Sequence, residues 1–292
     1  QISGALLLAA GIPALFEQRV ANIAIIGGYV VMRVALIVQW LRAAASDPER
    51  RTTAYRYAAG LAVVQVLWGG ILLVPQYFWP VFLSLVALDV CVPVWAESAS
   101  PTTWHPHHIT ERYGLLTMIV LGESILAATT AIQSALAAGE ALSSLTALIL
   151  GGLLIVYSMW WLYFHRPVHD LLTSFRKAFT WGYGHYFIFA SAAAVGAGLA
   201  AAVDAATHHA KVGAVGAGFA VAIPVATYLI CLWLLHDRPE YQKTRVSGPA
   251  AAVLVLLAPL TGMAVPLIGL ILAALVALKV VVDRHEGHRV AH

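Results

Sequence analysis

Residues 144–164 read SLTALILGGLLIVYSMWWLYF, a run that contains no charged side chain. An α-helix rises about 1.5 Å per residue and the hydrocarbon core of a bilayer is about 30 Å thick, so about 20 apolar residues suffice for one crossing. Because no water reaches the backbone inside that core, its polar groups must bond within the segment, as they do in a helix. The run therefore predicts a transmembrane helix.

Comparable runs fill most of the 292-residue chain, in which 61% of residues are hydrophobic and 11% are charged. Soluble proteins have about half apolar and about a quarter charged residues. The sequence thus predicts an all-α fold, a polytopic transmembrane helix bundle that forms a single domain over residues 1–292. We expect about ten spans, at approximately residues 1–16, 20–41, 55–74, 77–96, 111–132, 144–164, 178–203, 213–236, 248–264 and 265–283.

The distribution of Lys and Arg predicts how the spans are oriented, because these residues are retained on the cytoplasmic side near helix ends. Alternating the ten spans leaves only Arg19 and Lys211 on one side and gathers the other basic loop residues on the opposite side. The pattern predicts a multi-pass cell-membrane protein with a cytoplasmic C-terminus. It also favours two separate spans on either side of residues 262–266, GMAVP, which permit either a tight reversal or a kink in one long helix.

Several functional classes have little support in the sequence. No basic patch with interleaved aromatic residues suggests nucleic-acid binding. Both cysteines, Cys91 and Cys231, lie in apolar runs, and the histidines of residues 105–108 lack a carboxylate or cysteine at a ligand spacing, so we predict no metal and no cofactor. The sequence contains no nucleophile elbow, phosphate loop or zinc-protease motif, so an enzyme is not favoured and no catalytic residue is assigned.

Ionisable residues inside predicted spans are the candidates for function, since each costs roughly 2.5–3.5 kcal/mol at bilayer depth. Arg33, Asp89, Glu123 and His185 occupy such positions. Arg33 can pair with Asp89 or with Glu123, and the pair can be purely structural or part of a transport site.

The fifth span carries a polar face. At about 100° per residue, Arg112, Glu123 and Thr130 lie within roughly 20° of one another. That face can line a water-filled path or bury against neighbouring helices. Thr110 and Glu111 suit a helix start, where a hydroxyl caps free amides and a carboxylate meets the positive dipole end. The predicted intramembrane polar or transport site comprises Arg33, Asp89, Glu111, Arg112, Glu123, Thr130 and His185.

Two further patterns concern packing rather than chemistry. Aromatic clusters at residues 77–79, 160–163 and 181–183 stand near predicted span ends and are typical of interfacial anchors. The seventh span carries small residues at four-residue intervals, a pattern typical of helices that pack closely; these are Ala190, Ala194 and Gly198.

A faint internal similarity relates residues 28–41 to residues 218–234. It is explained either by a parallel duplication of six-helix units or by chance likeness between apolar helices.

Four stretches resemble the bacterial low temperature requirement A (LtrA) family: VQWLR at 38–42, HITERYGL at 108–115, LGES at 121–124 and GHYFIFASA at 184–192. The resemblance implies a multipass inner-membrane protein linked by name to growth in the cold. Members of the family usually begin with a Glu-Leu-Phe-Phe-Asp-Leu-type motif and two further spans. The resemblance therefore implies an N-terminal truncation and about twelve spans in the full-length protein. If the internal similarity reflects duplication, twelve spans form a six-plus-six repeat with halves 1–97, incomplete, and 105–283.

Three functions follow from these observations as hypotheses. The first is transport or channelling of an ion or small solute, because the charges, the polar face and the repeat are typical of transporters. The second is a membrane-embedded lipid or envelope enzyme, and the third is a non-catalytic scaffold or sensor in cold adaptation. The expected partners are the lipid bilayer and the ion or solute.

Overall fold

The computed structural model describes residues 1–18, 23–207, 212–237 and 246–290, and Arg19 and Lys211 lie outside these ranges. Helices make up 88% of the structure, and the described residues contain no strand. Ten α-helices lie in these ranges, one for each predicted span. They are α1 (Ile2–Gln18), α2 (Ile23–Ser46), α3 (Arg51–Gly70), α4 (Phe78–Glu97), α5 (Pro106–Ala137), α6 (Leu142–Phe164), α7 (Phe175–Ala206), α8 (Ala214–Leu232), α9 (Ser247–Leu257) and α10 (Ala264–Val290).

Eight of the helical segments in the described residues are long and apolar enough to cross a bilayer. The two exceptions are the shorter apolar segments Ile2–Leu15 and Ser247–Thr261. The protein is thus a multi-pass membrane bundle, as composition predicts. Which side faces the cytoplasm stays a prediction that rests on the basic residues.

The junction between α9 and α10 decides between the two alternatives for residues 262–266. A 3₁₀ turn over Ala258–Thr261 follows α9, and Gly262 then adopts a left-handed conformation with φ of 77°. Glycine enters this region without a steric penalty, and it commonly ends helices this way. The two segments are therefore separate helices rather than one kinked helix.

The chain packs as two compact units, Gln1–Thr103 and Trp104–His292. In the first unit α1, α2, α3 and α4 pack against one another in chain order. Its core gathers large side chains from α2, α3 and α4, including Ile26, Trp68 and Leu85. The single domain and the duplication both stay predictions, because a division into two packed units establishes neither of them.

In the second unit α7 is the central helix, packed against α5 and α8, while α6 packs against α10. Close approach depends on a small residue at Gly198, where an added Cβ would lie 2.3 Å from the carbonyl oxygen of Ala220 in α8. Small residues at helix contacts allow such backbone proximity. The predicted packing role of Gly198 is therefore confirmed.

Candidate functional site

The first unit contains an ion pair halfway along its helices. Arg33 lies near the middle of α2 and Asp89 near the middle of α4, and Arg33 Nη2 donates to Asp89 Oδ1 at 2.9 Å. Of the two partners that the sequence left open for Arg33, Asp89 is the one observed. A charge at this depth needs a partner, and α2 and α4 supply the two charges to each other.

Two aromatic donors complete the surroundings of Asp89. The Tyr29 hydroxyl donates to Asp89 Oδ2 at 2.6 Å, and Trp68 Nε1 donates to the same oxygen at 3.0 Å. Arg33 also donates to the Tyr29 hydroxyl, and its guanidinium lies over the Tyr29 ring at 4.7 Å from the centroid. Charge-assisted hydrogen bonds of this kind are roughly twice as strong as neutral ones. We call Tyr29, Arg33, Trp68 and Asp89 the charged cluster.

Sequence reasoning found both charges of this cluster and missed both aromatic donors. Tyr29 precedes Arg33 by four residues, so the two side chains share one face of α2. That spacing is a signal that was available in the sequence. Trp68 carries no comparable signal, because only the packing of α3 against α4 brings its indole to Asp89.

The second unit contains a neutral polar cluster around His185, which is fully buried on α7. His185 Nδ1 lies 2.8 Å from the carbonyl oxygen of Trp181, which can only accept, so Nδ1 carries the proton. In the neutral ring Nε2 is then an acceptor, and it receives a hydrogen bond from the Tyr163 hydroxyl at 2.9 Å. Packing thus selects one tautomer of His185.

A second histidine, His236, extends this cluster. It lies on a π-helical turn, Trp233–Asp237, at the end of α8, with its ring centroid 5.7 Å from that of His185. Within the described residues, His236 Nε2 and Trp181 Nε1 are buried without a hydrogen-bond partner. We call Tyr163, Trp181, His185 and His236 the histidine cluster.

The aromatic anchors of the sequence analysis divide into two groups. Tyr77 and Trp79 are 59% and 66% exposed, as interfacial residues would be. For Trp181 and Tyr163 the anchor assignment is wrong, because they are 3% and 5% exposed and pack against histidines. The sequence does not separate the two groups, since all of them stand near the ends of apolar runs.

The polar residues of α5 also divide into two groups. Thr117 and Ser124 are buried, and Ser124 Oγ donates to the carbonyl oxygen of Ala192 on α7 at 2.8 Å. The three residues of the predicted polar face are exposed; they are Arg112, Glu123 and Thr130. Ser124 therefore packs against α7, whereas the predicted polar face lies outside the core of this unit.

The expected helix start at Thr110 and Glu111 is wrong. Helix α5 begins at Pro106, and the Thr110 hydroxyl donates to the carbonyl oxygens of Pro106 and His107 within the helix. Proline is favoured at the first helical position, where its missing N–H has no cost. Glu111 lines an open cavity of about 610 Å³ together with Tyr163.

In the described ranges no group of three or more His, Cys, Asp or Glu side chains is placed to hold an ion. The His107 and His169 rings are tilted by 30° with centroids 3.9 Å apart, but this pair has no third ligand among the same residues. The free cysteines lie on α4 and α8, in the two different units.

Ten largely apolar helices and a charged pair at mid-span define a multi-pass α-helical membrane protein. Comparison with protein families matches residues 1–282 to the family described as bacterial low temperature requirement A protein (LtrA). The chain therefore belongs to the LtrA family. Comparisons with curated proteins and with solved structures found no match.

Proposed function

We propose that the protein transports or conducts an ion or small solute across the membrane, and that the charged cluster lies on the pathway. The observation that carries the proposal is the Arg33–Asp89 pair, whose side chains are 22% and 12% exposed at the middle of α2 and α4. A charge that faces lipid costs several kcal/mol, whereas one that faces a hydrated cavity does not. The open side of this pair therefore favours contact with water or a polar solute.

Gln65 gives independent support from the same unit. It lies on α3 three residues before Trp68, so both side chains occupy one face of that helix. Gln65 is 8% exposed, and neither its amide nitrogen nor its amide oxygen has a hydrogen-bond partner within the described residues. A buried amide of this kind is ordinarily satisfied by water or by a bound polar group. Gln65 thus offers one donor pair and one acceptor to such a species.

The chemistry of the pair suits an exchange of partners. Arg33 is a permanent cation with five N–H donors, and Asp89 is an acceptor-only carboxylate when ionised. An anion can replace Asp89 beside Arg33, and a cation can replace Arg33 beside Asp89. The Tyr29 hydroxyl can stay hydrogen-bonded to either charge during the exchange, and Trp68 Nε1 can stay bonded to Asp89. These bonds lower the cost of separating the pair.

The test is flux into proteoliposomes that hold the purified full-length protein, with protons, common ions and small solutes offered in turn. Asp89→Asn removes the charge and preserves the side-chain shape, and we expect it to reduce wild-type flux by roughly tenfold or more. Glu49→Gln is the matched control, because Glu49 is a carboxylate of the same unit that is 84% exposed in a loop. Its flux should equal that of the wild type at matched incorporation.

Other outcomes would contradict the proposal in distinct ways. Flux that survives Asp89→Asn but is lost in Glu123→Gln would move the pathway to the exposed face of α5. Absence of wild-type flux for every ion and solute would favour the lipid or envelope enzyme, or the scaffold or sensor in cold adaptation.

A further inference from the structure

A cavity of about 520 Å³ lies at the beginning of α7, beside the 3₁₀ turn His169–Leu171 and the end of α8. It lies wholly within the second unit and shares no residue with the charged cluster. Its polar lining comes from Asp170, Arg176, Lys177, Thr180 and Trp181.

The polar lining consists mainly of hydrogen-bond donors. Arg176 is exposed, and its guanidinium has no hydrogen bond or ion pair within the described part of the chain. Lys177 Nζ donates to the Thr173 hydroxyl at 2.9 Å, which leaves two of its three protons for another acceptor. Trp181 is 3% exposed, and its indole N–H, a donor only, has no partner among the described residues. These groups favour an anion.

The helix and its surroundings add to this preference. Helix α7 is 32 residues long, and the first turn of such a helix presents N–H groups and the positive end of the dipole. The Ser174 hydroxyl caps one of these groups, the backbone N–H of Lys177. An acidic side chain, Asp170, also lines the cavity, but it is 76% exposed and its carboxylate lies 3.4 Å from His169 Nε2. It can therefore turn toward solvent and leave the donors free for an anion.

The rest of the lining is apolar, and it comes from Leu171, Leu172, Leu234 and Leu235. A ligand that fits both the polar and the apolar part of the lining carries an anionic group and a hydrocarbon part. Basic pockets between transmembrane helices are known to bind the headgroups of anionic lipids. We propose that this cavity binds an anionic phospholipid, with its phosphate beside Arg176, Lys177 and Trp181 and its glycerol and first acyl carbons beside the leucines.

This proposal requires that the protein lies in a bilayer, and it does not depend on the transport hypothesis. The test is native mass spectrometry of the detergent-solubilised full-length protein, titrated with phosphatidylglycerol or with zwitterionic phosphatidylcholine. We expect wild type to bind phosphatidylglycerol about tenfold more tightly. Each basic residue near a membrane surface contributes about 1 kcal/mol, or about fivefold, so Arg176→Gln with Lys177→Gln should remove most of this preference.

Arg42→Gln is the matched control for charge, because Arg42 is an exposed arginine near the end of α2, in the other unit. We expect it to leave the preference for phosphatidylglycerol unchanged within about twofold. Trp181→Phe keeps an aromatic ring and removes the N–H, and it should weaken phosphatidylglycerol binding about fivefold without affecting phosphatidylcholine. Thermal melting checks that the variants fold. If Trp181→Phe does not fold, the Arg176/Lys177 variant alone tests the proposal.

Three results would overturn the proposal. Equal binding of the two lipids by wild type would remove the anionic preference. An equal loss in Arg42→Gln would show a general effect of surface charge. Displacement of phosphatidylglycerol by millimolar inorganic phosphate would show a site for the free anion rather than for the lipid.

Discussion

The charged cluster and the histidine cluster both hold polar side chains among apolar helices, but they stabilise these side chains in opposite ways. Asp89 is ionisable, partly exposed and bonded by Arg33, Tyr29 and Trp68. His185 is fully buried, and one tyrosine and one backbone carbonyl satisfy it as a neutral ring. A full charge is thus kept where several donors surround it and one side stays open, and a sealed position holds only neutral polar groups.

The comparison separates two roles for buried polarity. Replacing a buried ion pair by well-packed apolar groups of similar volume is often neutral or stabilising, so the Arg33–Asp89 pair favours a role other than stability. A neutral hydrogen bond between Tyr163 and His185 mainly fixes how α6 and α7 pack. We therefore expect substitutions in the first unit to separate stability from activity, and those in the second unit to change stability first.

The largest effect is expected from breaking the charged pair on one side only. Asp89→Leu leaves Arg33 without its counter-charge, and loss of one partner of a buried pair typically costs about 3–5 kcal/mol. The double variant Arg33→Met/Asp89→Leu removes both charges and should recover most of that free energy of unfolding. Denaturation in detergent measures both variants.

Flux measurements on the same proteins sharpen this comparison. We expect the double variant to be stable and inactive. If the pair were purely structural, the double variant would not lose its activity. A double variant as active as wild type would remove the charged cluster from the pathway. A double variant as unstable as Asp89→Leu would show that packing, not charge, is what the pair provides.

An intermediate effect is expected where α7 meets α8. Gly198→Ala places a methyl group 2.3 Å from the Ala220 carbonyl oxygen, so the helices must separate, at a cost of about 1–3 kcal/mol. Gly122→Ala is the matched control, because nothing lies within 4 Å of its added Cβ. Alanine is the better helix former, so this control should be neutral or stabilising by up to about 1 kcal/mol. Thermal melting that ranks the two variants the other way would contradict the close packing.

A smaller effect is expected from Tyr163→Phe. The change removes the hydroxyl that donates to His185 and leaves Nε2 buried without a partner, at a cost of about 1–2 kcal/mol in the free energy of unfolding. Tyr113→Phe is the control on the same cluster, because the Tyr113 ring packs on His185 while its hydroxyl makes no hydrogen bond within the described residues. Equal destabilisation by both variants would show that ring packing alone matters.

The sequence predicts the fold better than the site. Apolar runs have the length of a bilayer crossing, so the number of helices and their approximate bounds follow from counting residues. The separation of α9 from α10 depended on one glycine, whose left-handed conformation only the structure shows. The start of α5 was misplaced because a hydroxyl and a carboxylate at residues 110–111 imitate a cap in the interior of the helix.

Site prediction succeeded where charge alone is informative. Arg33 and Asp89 stand out in apolar spans, and opposite charges at bilayer depth find each other. His236 was missed because a histidine at the end of a span resembles a surface residue, and only the π-helical turn brings it beside His185. Glu123 is conspicuous in sequence for the same reason as Asp89, yet it is exposed on α5, and its role stays a prediction.

The smallest effect is expected at an exposed Asp–Arg pair that has the same chemistry as the charged cluster. Arg50 Nη1 lies 3.1 Å from Asp47 Oδ2 in the loop after α2. The Asp47 side chain is 40% exposed and that of Arg50 is 30% exposed. The hydrogen bond from Arg50 lowers the pKa of Asp47 from its ordinary value of 3.8. The pair therefore adds its full stability above the ordinary pKa of Asp47, and the contribution disappears as the pH falls through the lowered pKa.

Exposure to water should make this contribution small, because surface ion pairs gain little and are screened by salt. We expect Asp47→Asn to change the melting temperature at pH 7 by less than about 2 °C, and to change it less as the pH falls through the lowered pKa of Asp47 or as salt is added. Asp89→Asn should lower it much more in the same assay, because Asp89 has no comparable access to solvent. Equal shifts in melting temperature for the two variants would mean that water reaches Asp89 as freely as it reaches the loop. That result would favour a hydrated pathway and contradict a costly buried charge at Asp89.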